Sequence, residues 1–313
     1  MKITLAIPID IDDKAEFQNT AAAVEVAKAA ERSGADAVNL TDHPAPTAEW
    51  RHSGGHDALD PFAGLAFVAA ATTKVRLHTN LIVLPYRNPF LVAKSAATVD
   101  VLSNGRLIMG VGVGYLQGEY QALGVDFESR GAAVDEALTT MRAAWGEEPV
   151  TVEGRRFHAS GIYPRPRPVQ QPGPVIWSGG NSDRAIRRAA EQCDGWSPFF
   201  AEARLSKRAG TDEMTTLEEL KAKIGKLREH LDRTGRTRPF DICIGPKGGL
   251  KGQSASEVDR YVNEAGKLAD LGVNWMGANA AHPNRTAWME NLQWLSEELF
   301  PKLHALKSAS LIH

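Results

Sequence analysis

Eight short apolar runs recur along the chain at a nearly even spacing: Ile3 to Ile7, Asp36 to Leu40, Val75 to Leu84, Arg106 to Val113, Pro174 to Trp177, Asp194 to Ser197, Phe240 to Ile244 and Val273 to Met276. The mean interval between their starts is about 39 residues, which suits a strand followed by a helix and is too long for hairpins. Several runs, such as Leu107-Ile108-Met109-Gly110-Val111, are apolar without alternation, as in parallel strands covered on both faces. The segments between them carry helical stripes, one of Leu217, Leu220, Ile224, Leu227 and Leu231 and another of Trp288, Leu292, Leu295 and Leu299. Gly34, Gly105 and Gly272 stand where helices should stop and strands begin. This α/β pattern predicts one (β/α)8 TIM barrel over residues 1–304, with a doubly wound sheet as the competing arrangement.

The interval from 106 to 174 is long enough to hold a helix near Ala132 to Trp145 and then an insertion at about 146–173. There VEGRRF reads as a small hairpin and PRPRPVQQPGP as an extended crossing. The tail, 305–313, is expected to fray.

Charge and cysteine content narrow the function. With 36 Lys+Arg against 38 Asp+Glu, the net charge of -2 argues against a basic nucleic-acid-binding domain. A 43% hydrophobic content excludes global disorder. Cys193 and Cys243 have no CxxC or Cys/His company, so neither a disulfide framework nor a zinc site is expected. The apolar run of MKITLAIPIDIDDKAEF breaks at Asp10, too early for a signal-peptide core, and no stretch approaches the ~18 apolar residues of a membrane helix. The expectation is a soluble cytoplasmic protein without membrane or nucleic-acid partners.

In a barrel, chemistry belongs to the loops after the strands. Those loops contain TDHP, LPYRNP, GYLQGEY, SGGN, PFF, GPKGG and ANAAHP. His43 would be aimed into the mouth, where an imidazole moves protons near neutral pH, with Asp42 beside it as its orienting group. His52 and His56, with His43 and Asp57, could converge on a metal in a barrel hydrolase, although HSGGH is poorly suited to a helical ligand pair and no metal site is expected. Gly110-Val111-Gly112-Val113-Gly114 reads equally as tight packing or as room for a flat ring to approach the backbone. Ser178, Gly179, Gly180 and Asn181 precede a helical segment whose first N–H groups could cradle a phosphate, with an N-cap as the plainer reading. The strand around Asn80 and Leu81 is long enough for a bulge. Trp50, Tyr86, Tyr115, Tyr120, Trp196 and Phe199 fall near strand ends, where aromatics could line a pocket for a planar ligand.

Taken together, these motifs resemble the bacterial-luciferase-like superfamily and, within it, the coenzyme F420-dependent oxidoreductases. The resemblance rests on LIVLPYRNPFLVAKSAATVDVLSNGRLIMGVGVGY from Leu81 to Tyr115, on Thr41 to His43, and on VIWSGGNSDRAIRRAAEQCDGW from Val175 to Trp196. It implies a deazaflavin or flavin mononucleotide (FMN) at the C-terminal mouth and a non-prolyl cis peptide, placed here at Asn80-Leu81. It also implies that Gly112, Val113 and Gly114 approach the cofactor tail and that Gly179, Gly180 and Asn181 contact its phosphate. In the sugar-phosphate dehydrogenases of this family a Glu follows the GxG of the fourth strand. Tyr115 occupies that place here, which puts sugar-phosphate oxidation in doubt and leaves Glu119 as a substitute acid.

The resemblance therefore implies hydride transfer between coenzyme F420 and a small organic substrate, in a homodimer. The alternatives are an FMN-dependent luciferase-like monooxygenase, with lower weight the metal-dependent hydrolase, and a noncatalytic cofactor-binding protein.

Overall fold

A computed structural model describes residues 1–280 and 284–311. The last residues of the ANAAHP segment, 281–283, and positions 312 and 313 lie outside the described residues. In chain order the strands are β1 (Lys2–Ala6), β2 (Ala37–Leu40), β3 (Arg76–Val83), β4 (Leu107–Gly112), β5 (Val150–Glu153), β6 (His158–Ile162), β7 (Val175–Gly179), β8 (Gly195–Ser197), β9 (Asp241–Ile242) and β10 (Trp275–Asn279). Eight of them form one sheet in the order β10-β1-β2-β3-β4-β7-β8-β9. The neighbours β10/β1, β1/β2, β3/β4, β7/β8 and β8/β9 run parallel. A parallel bridge from Cys243 to Trp275 joins the two ends of that order. Each of these eight strands overlaps one of the eight apolar runs, giving the (β/α)8 arrangement that the spacing predicts.

Two compact units divide the chain, one of Met1–Asn39 with Trp177–His313 and the other of Leu40–Ile176. In the first, the helix Leu217–Arg233 starts from a capping box of Thr216 and Glu219 and buries Leu220, Ile224, Leu227 and Leu231. The predicted stripe is thus its core face, and Trp288, Leu292, Leu295 and Leu299 are likewise buried. Gly34 and Gly272 adopt φ of 86° and 101°, the left-handed turn that lets a helix end and a strand follow within two or three residues. Of the tail expected to fray, the described residues 308, 309 and 311 make contacts with the body of the unit. Ala309 N–H donates to the Ala269 carbonyl at 2.9 Å, Ser308 Oγ donates to the Val273 carbonyl at 2.6 Å, and Leu311 is buried beside Gly272. An apolar residue close to the end of the chain pins it down.

In the second unit, Pro61 and Pro89 open the helices Pro61–Ala71 and Pro89–Leu102, each behind an Asx cap from Asp60 or Asn88. β5 and β6 pair antiparallel across VEGRRF, within the insertion that follows the helix Arg130–Ala144. The long strand β3 carries the irregularity its length allows. Its register against β4 shifts between Thr79 and Ile82, so Asn80 and Leu81 together face Gly110. The Asn80-Leu81 peptide is cis.

Candidate active site

Within the unit Leu40–Ile176, the end of β2 delivers Asp42 and His43 to different surroundings. Asp42 is buried, and its carboxylate is gripped by a two-pronged Arg87, Nη1 to Oδ2 at 2.6 Å and Nη2 to Oδ1 at 2.8 Å. Val83 N–H also donates to Oδ2 at 2.9 Å. A buried carboxylate needs such partners, and the bidentate fork is the strongest available. Asp42 therefore does not orient His43, contrary to the expectation from sequence. It ties the exit of β2 to the exit of β3, and Arg87 is the partner that sequence reasoning missed. The requirement that a buried Asp find a cation was the available signal, since Arg87 lies in the LPYRNP segment.

The group facing His43 is Glu119. Its Oε2 lies 3.4 Å from His43 Nδ1, with the two side chains only 1% and 10% exposed. That separation is an ion-pair distance without hydrogen-bond alignment, and Nδ1 is buried without a hydrogen bond. Glu119 Oε2 instead accepts from the Tyr86 hydroxyl at 2.9 Å, while Oε1 accepts from Ala45 N–H at 3.3 Å. Burial, followed by the charge of Glu119 and its hydrogen bond, pushes the Tyr86 phenol far above its ordinary range, so it remains a donor. Around His43 the rings of Trp50, His56 and Tyr115 lie at centroid distances of 4.4, 5.1 and 6.1 Å. His43, Trp50, Tyr86, Tyr115 and Glu119 thus come together as one cluster, with Glu119 carried by the short helix Gln117–Ala122.

Two glycines of β4 are required by packing. A Cβ on Gly110 would stand 2.2 Å from the Thr79 carbonyl oxygen and 2.9 Å from His78 Nε2, and one on Gly112 would meet Leu81 Cδ1 at 2.9 Å. The bulge of β3 fills the space that these glycines leave, with Leu81 against Gly112. Gly114 adopts φ 69°, and the Val113 carbonyl accepts the Tyr120 hydroxyl. Asn80 and Leu81 themselves are half-buried.

Within the other unit, Ser178, Gly179, Gly180 and Asn181 lead from β7 into the helix Asp183–Gln192, whose N-cap is Ser182. Asn181 is fully buried and fully engaged. Its Nδ2 donates to the Phe199 carbonyl at 2.8 Å and the Asp212 carbonyl at 3.2 Å, its Oδ1 accepts from Phe199 N–H at 3.1 Å, and its own N–H donates to Thr211 Oγ1 at 2.8 Å. It is a loop clasp, and the expected phosphate contact from Asn181 falls away. Gly180 and Ser182 N–H have no hydrogen-bond partner among the described residues. Lys223 Nζ donates to the Asn181 carbonyl at 2.8 Å and is paired with Asp212 Oδ2 at 2.9 Å, so its charge is already matched. Trp196, expected to line a pocket, is fully buried and donates its Nε1–H to the Gly180 carbonyl at 2.8 Å, so it braces the turn. Phe199 is half-buried and is held through its backbone.

The four donors considered for a metal have other partners or other surroundings. Arg51 forks onto Asp57 at 2.9 Å through both Nε and Nη2, His56 Nδ1 lies 2.9 Å from the Asp57 carbonyl oxygen, and His52 is exposed. Among the described residues no group of three or more His, Cys, Asp or Glu side chains is placed to share an ion. Nor is any described helix long and apolar enough to cross a membrane.

A barrel of parallel strands with a buried His-Glu-Tyr cluster at strand exits defines the chain as a (β/α)8-barrel enzyme. The crystal structure of monooxygenase RslO1 from Streptomyces bottropensis shares this fold, with a TM-score of 0.73 over 96% of this chain and 99% of that one at 20% identity. The model of the luciferase-like monooxygenase family matches residues 1–246, and the chain belongs to that family. An uncharacterized protein of Mycobacterium tuberculosis is 30% identical over 237 residues, covering 71% of this chain and 75% of the relative. An F420-dependent glucose-6-phosphate dehydrogenase of Gordonia bronchialis is 35% identical over 178 residues, 55% of this chain and 51% of the relative, so the match spans about half of that enzyme.

Proposed function

We propose that this protein is an F420-dependent oxidoreductase that moves a hydride between the deazaflavin and a small organic substrate, with His43 carrying the substrate proton. The observation that carries the reading is the His43 environment. Nδ1 is buried against Glu119, the ring is boxed by Trp50 and Tyr115, and Nε2 makes no hydrogen bond among the described residues. An imidazole backed by a carboxylate on one nitrogen and open at the other is suited to taking a proton from a hydroxyl or returning one to a carbonyl. Similarity to the F420-dependent relative supports the cofactor.

The residues present fit such a group. Within the unit Leu40–Ile176, Asn80 and Leu81 offer a half-buried bulge of backbone and apolar side chain suited to a flat ring; taken by itself, the turn of the other unit has the Gly180 and Ser182 N–H groups that suit a phosphate. When bound, the deazaflavin supplies the hydride donor or acceptor. The protein positions the substrate against the aromatic rings and holds its proton at His43 Nε2. Glu119 and Tyr86 fix the electrostatics behind the imidazole. Because Tyr115 stands where the sugar-phosphate dehydrogenases carry Glu, a substrate other than a sugar phosphate is proposed.

The second reading is an FMN-dependent monooxygenase, in keeping with the luciferase-like monooxygenase family to which the chain belongs. Anaerobic mixing with reduced and oxidised deazaflavin and a panel of small alcohols, aldehydes and ketones tests the first reading. Substrate-dependent gain or loss of deazaflavin fluorescence under these conditions supports it, whereas turnover seen only when FMN and oxygen are both supplied supports the second. We also propose a homodimer. The helix Pro61–Ala71 contains no polar residue yet exposes Phe67, and Leu91 and Leu102 are exposed on the helix Pro89–Leu102 that packs against it.

A further inference from the structure

Two donors face one oxygen of Glu119, and the orientation of the carboxylate decides which of them it serves. Tyr86 hydroxyl holds Oε2 in an aligned hydrogen bond at 2.9 Å, while His43 Nδ1 waits at 3.4 Å, buried and without a hydrogen bond. The other oxygen is engaged by Ala45 N–H. The carboxylate is therefore near enough to His43 to act on it and is held in an orientation that serves tyrosine first.

We propose that Tyr86 is a positioning residue that sets the proton affinity of His43 by keeping Glu119 Oε2 turned from the imidazole. The consequence for turnover rests on the reading of His43 as the proton carrier, while the competition itself does not. Burial and the neighbouring carboxylate hold the Tyr86 phenol protonated across the range in which a histidine titrates, so the competition persists at every working pH. The other groups facing this trio act differently. His56 and Tyr115 meet the His43 ring edge-on at 5.1 and 6.1 Å, Tyr120 packs on Tyr86 at 4.8 Å, and the charge of Asp42 is matched by Arg87. Glu119 is the carboxylate within ion-pair distance of His43 among the described residues.

The test is an NMR titration of the His43 ring in the full-length protein without cofactor, the signal being assigned by its loss in His43→Gln. In Tyr86→Phe, Glu119 is released to the imidazole, and an opposite charge drawn closer favours the protonated ring. The titration midpoint rises by about one pH unit. An unchanged or lowered midpoint overturns the proposal. Adding Glu119→Gln to Tyr86→Phe abolishes the rise, and a rise that survives this change also overturns it. Replacing Tyr86 with 3-fluorotyrosine keeps the ring and strengthens the donor without removing a contact, and lowers the midpoint. A midpoint that stays or climbs is contrary evidence even if Tyr86→Phe folds poorly. Since the signal comes from the protein alone, failure of deazaflavin binding leaves this test intact.

Discussion

At Gly110 a single methyl group decides whether β3 and β4 can pair. Its Cβ would lie 2.2 Å from a backbone oxygen of the neighbouring strand, which cannot swing aside as a flexible side chain can. Gly110→Ala is expected to lose about 1 to 3 kcal/mol of stability or more, seen as a lower urea midpoint at unchanged slope. His43 answers to a different measurement. In His43→Ala, turnover should fall by about 10² to 10⁴, the usual worth of a positioned acid or base, while deazaflavin affinity stays within about twofold. Unchanged turnover would remove His43 from the mechanism. A third residue speaks through pH. Burial, and secondarily the charge of Arg76, lowers the His78 pKa from 6.5 to about 3. Between those values the unfolded chain binds a proton that the native chain refuses, so stability is full above pH 6.5 and declines as the pH falls toward 3. The slope is at most about 1.4 kcal/mol per pH unit, and thermal melts of His78→Asn should show a flatter acid limb than the parent.

Between elements, Asp42 shows most clearly what the sequence could and could not reveal. Its position after β2 was readable from the apolar run ending at Leu40, yet its partner lies 45 residues away on the exit of β3. Breaking that fork by Asp42→Ala strands a half-buried guanidinium and frees Val83 N–H, at an expected cost of about 3 kcal/mol, measurable by chemical denaturation. The eight strands and the main helical stripes were legible because apolar runs, capping residues and stop glycines act locally. The bulge at Asn80-Leu81 was legible as excess strand length and through the family resemblance. What remained hidden depends on contacts remote in sequence. Asn181 looked like a phosphate ligand because SGGN precedes a helix, but Phe199 and Asp212 consume its side chain. Trp196 looked like a pocket wall, but its indole braces Gly180. Glu119 was found only as a substitute for a missing acid, and its pairing with Tyr86 has no signature in spacing.

At the scale of the whole molecule, the all-apolar helix Pro61–Ala71 is the feature that one copy leaves unexplained. Phe67 on it is 37% exposed and Leu91 on the adjoining helix is 67% exposed. If a second copy covers them, Phe67→Glu should shift sedimentation from dimer toward monomer, and a parent protein that already sediments as a monomer would refute the homodimer. The central claim, however, concerns the cofactor. It is tested most directly by titrating the purified protein with oxidised coenzyme F420 and separately with FMN, following the fluorescence of each ligand at one salt and pH. The account predicts micromolar-range binding of the deazaflavin, about -8 kcal/mol, and weaker binding of FMN. Preference for FMN, or binding of neither, would contradict it.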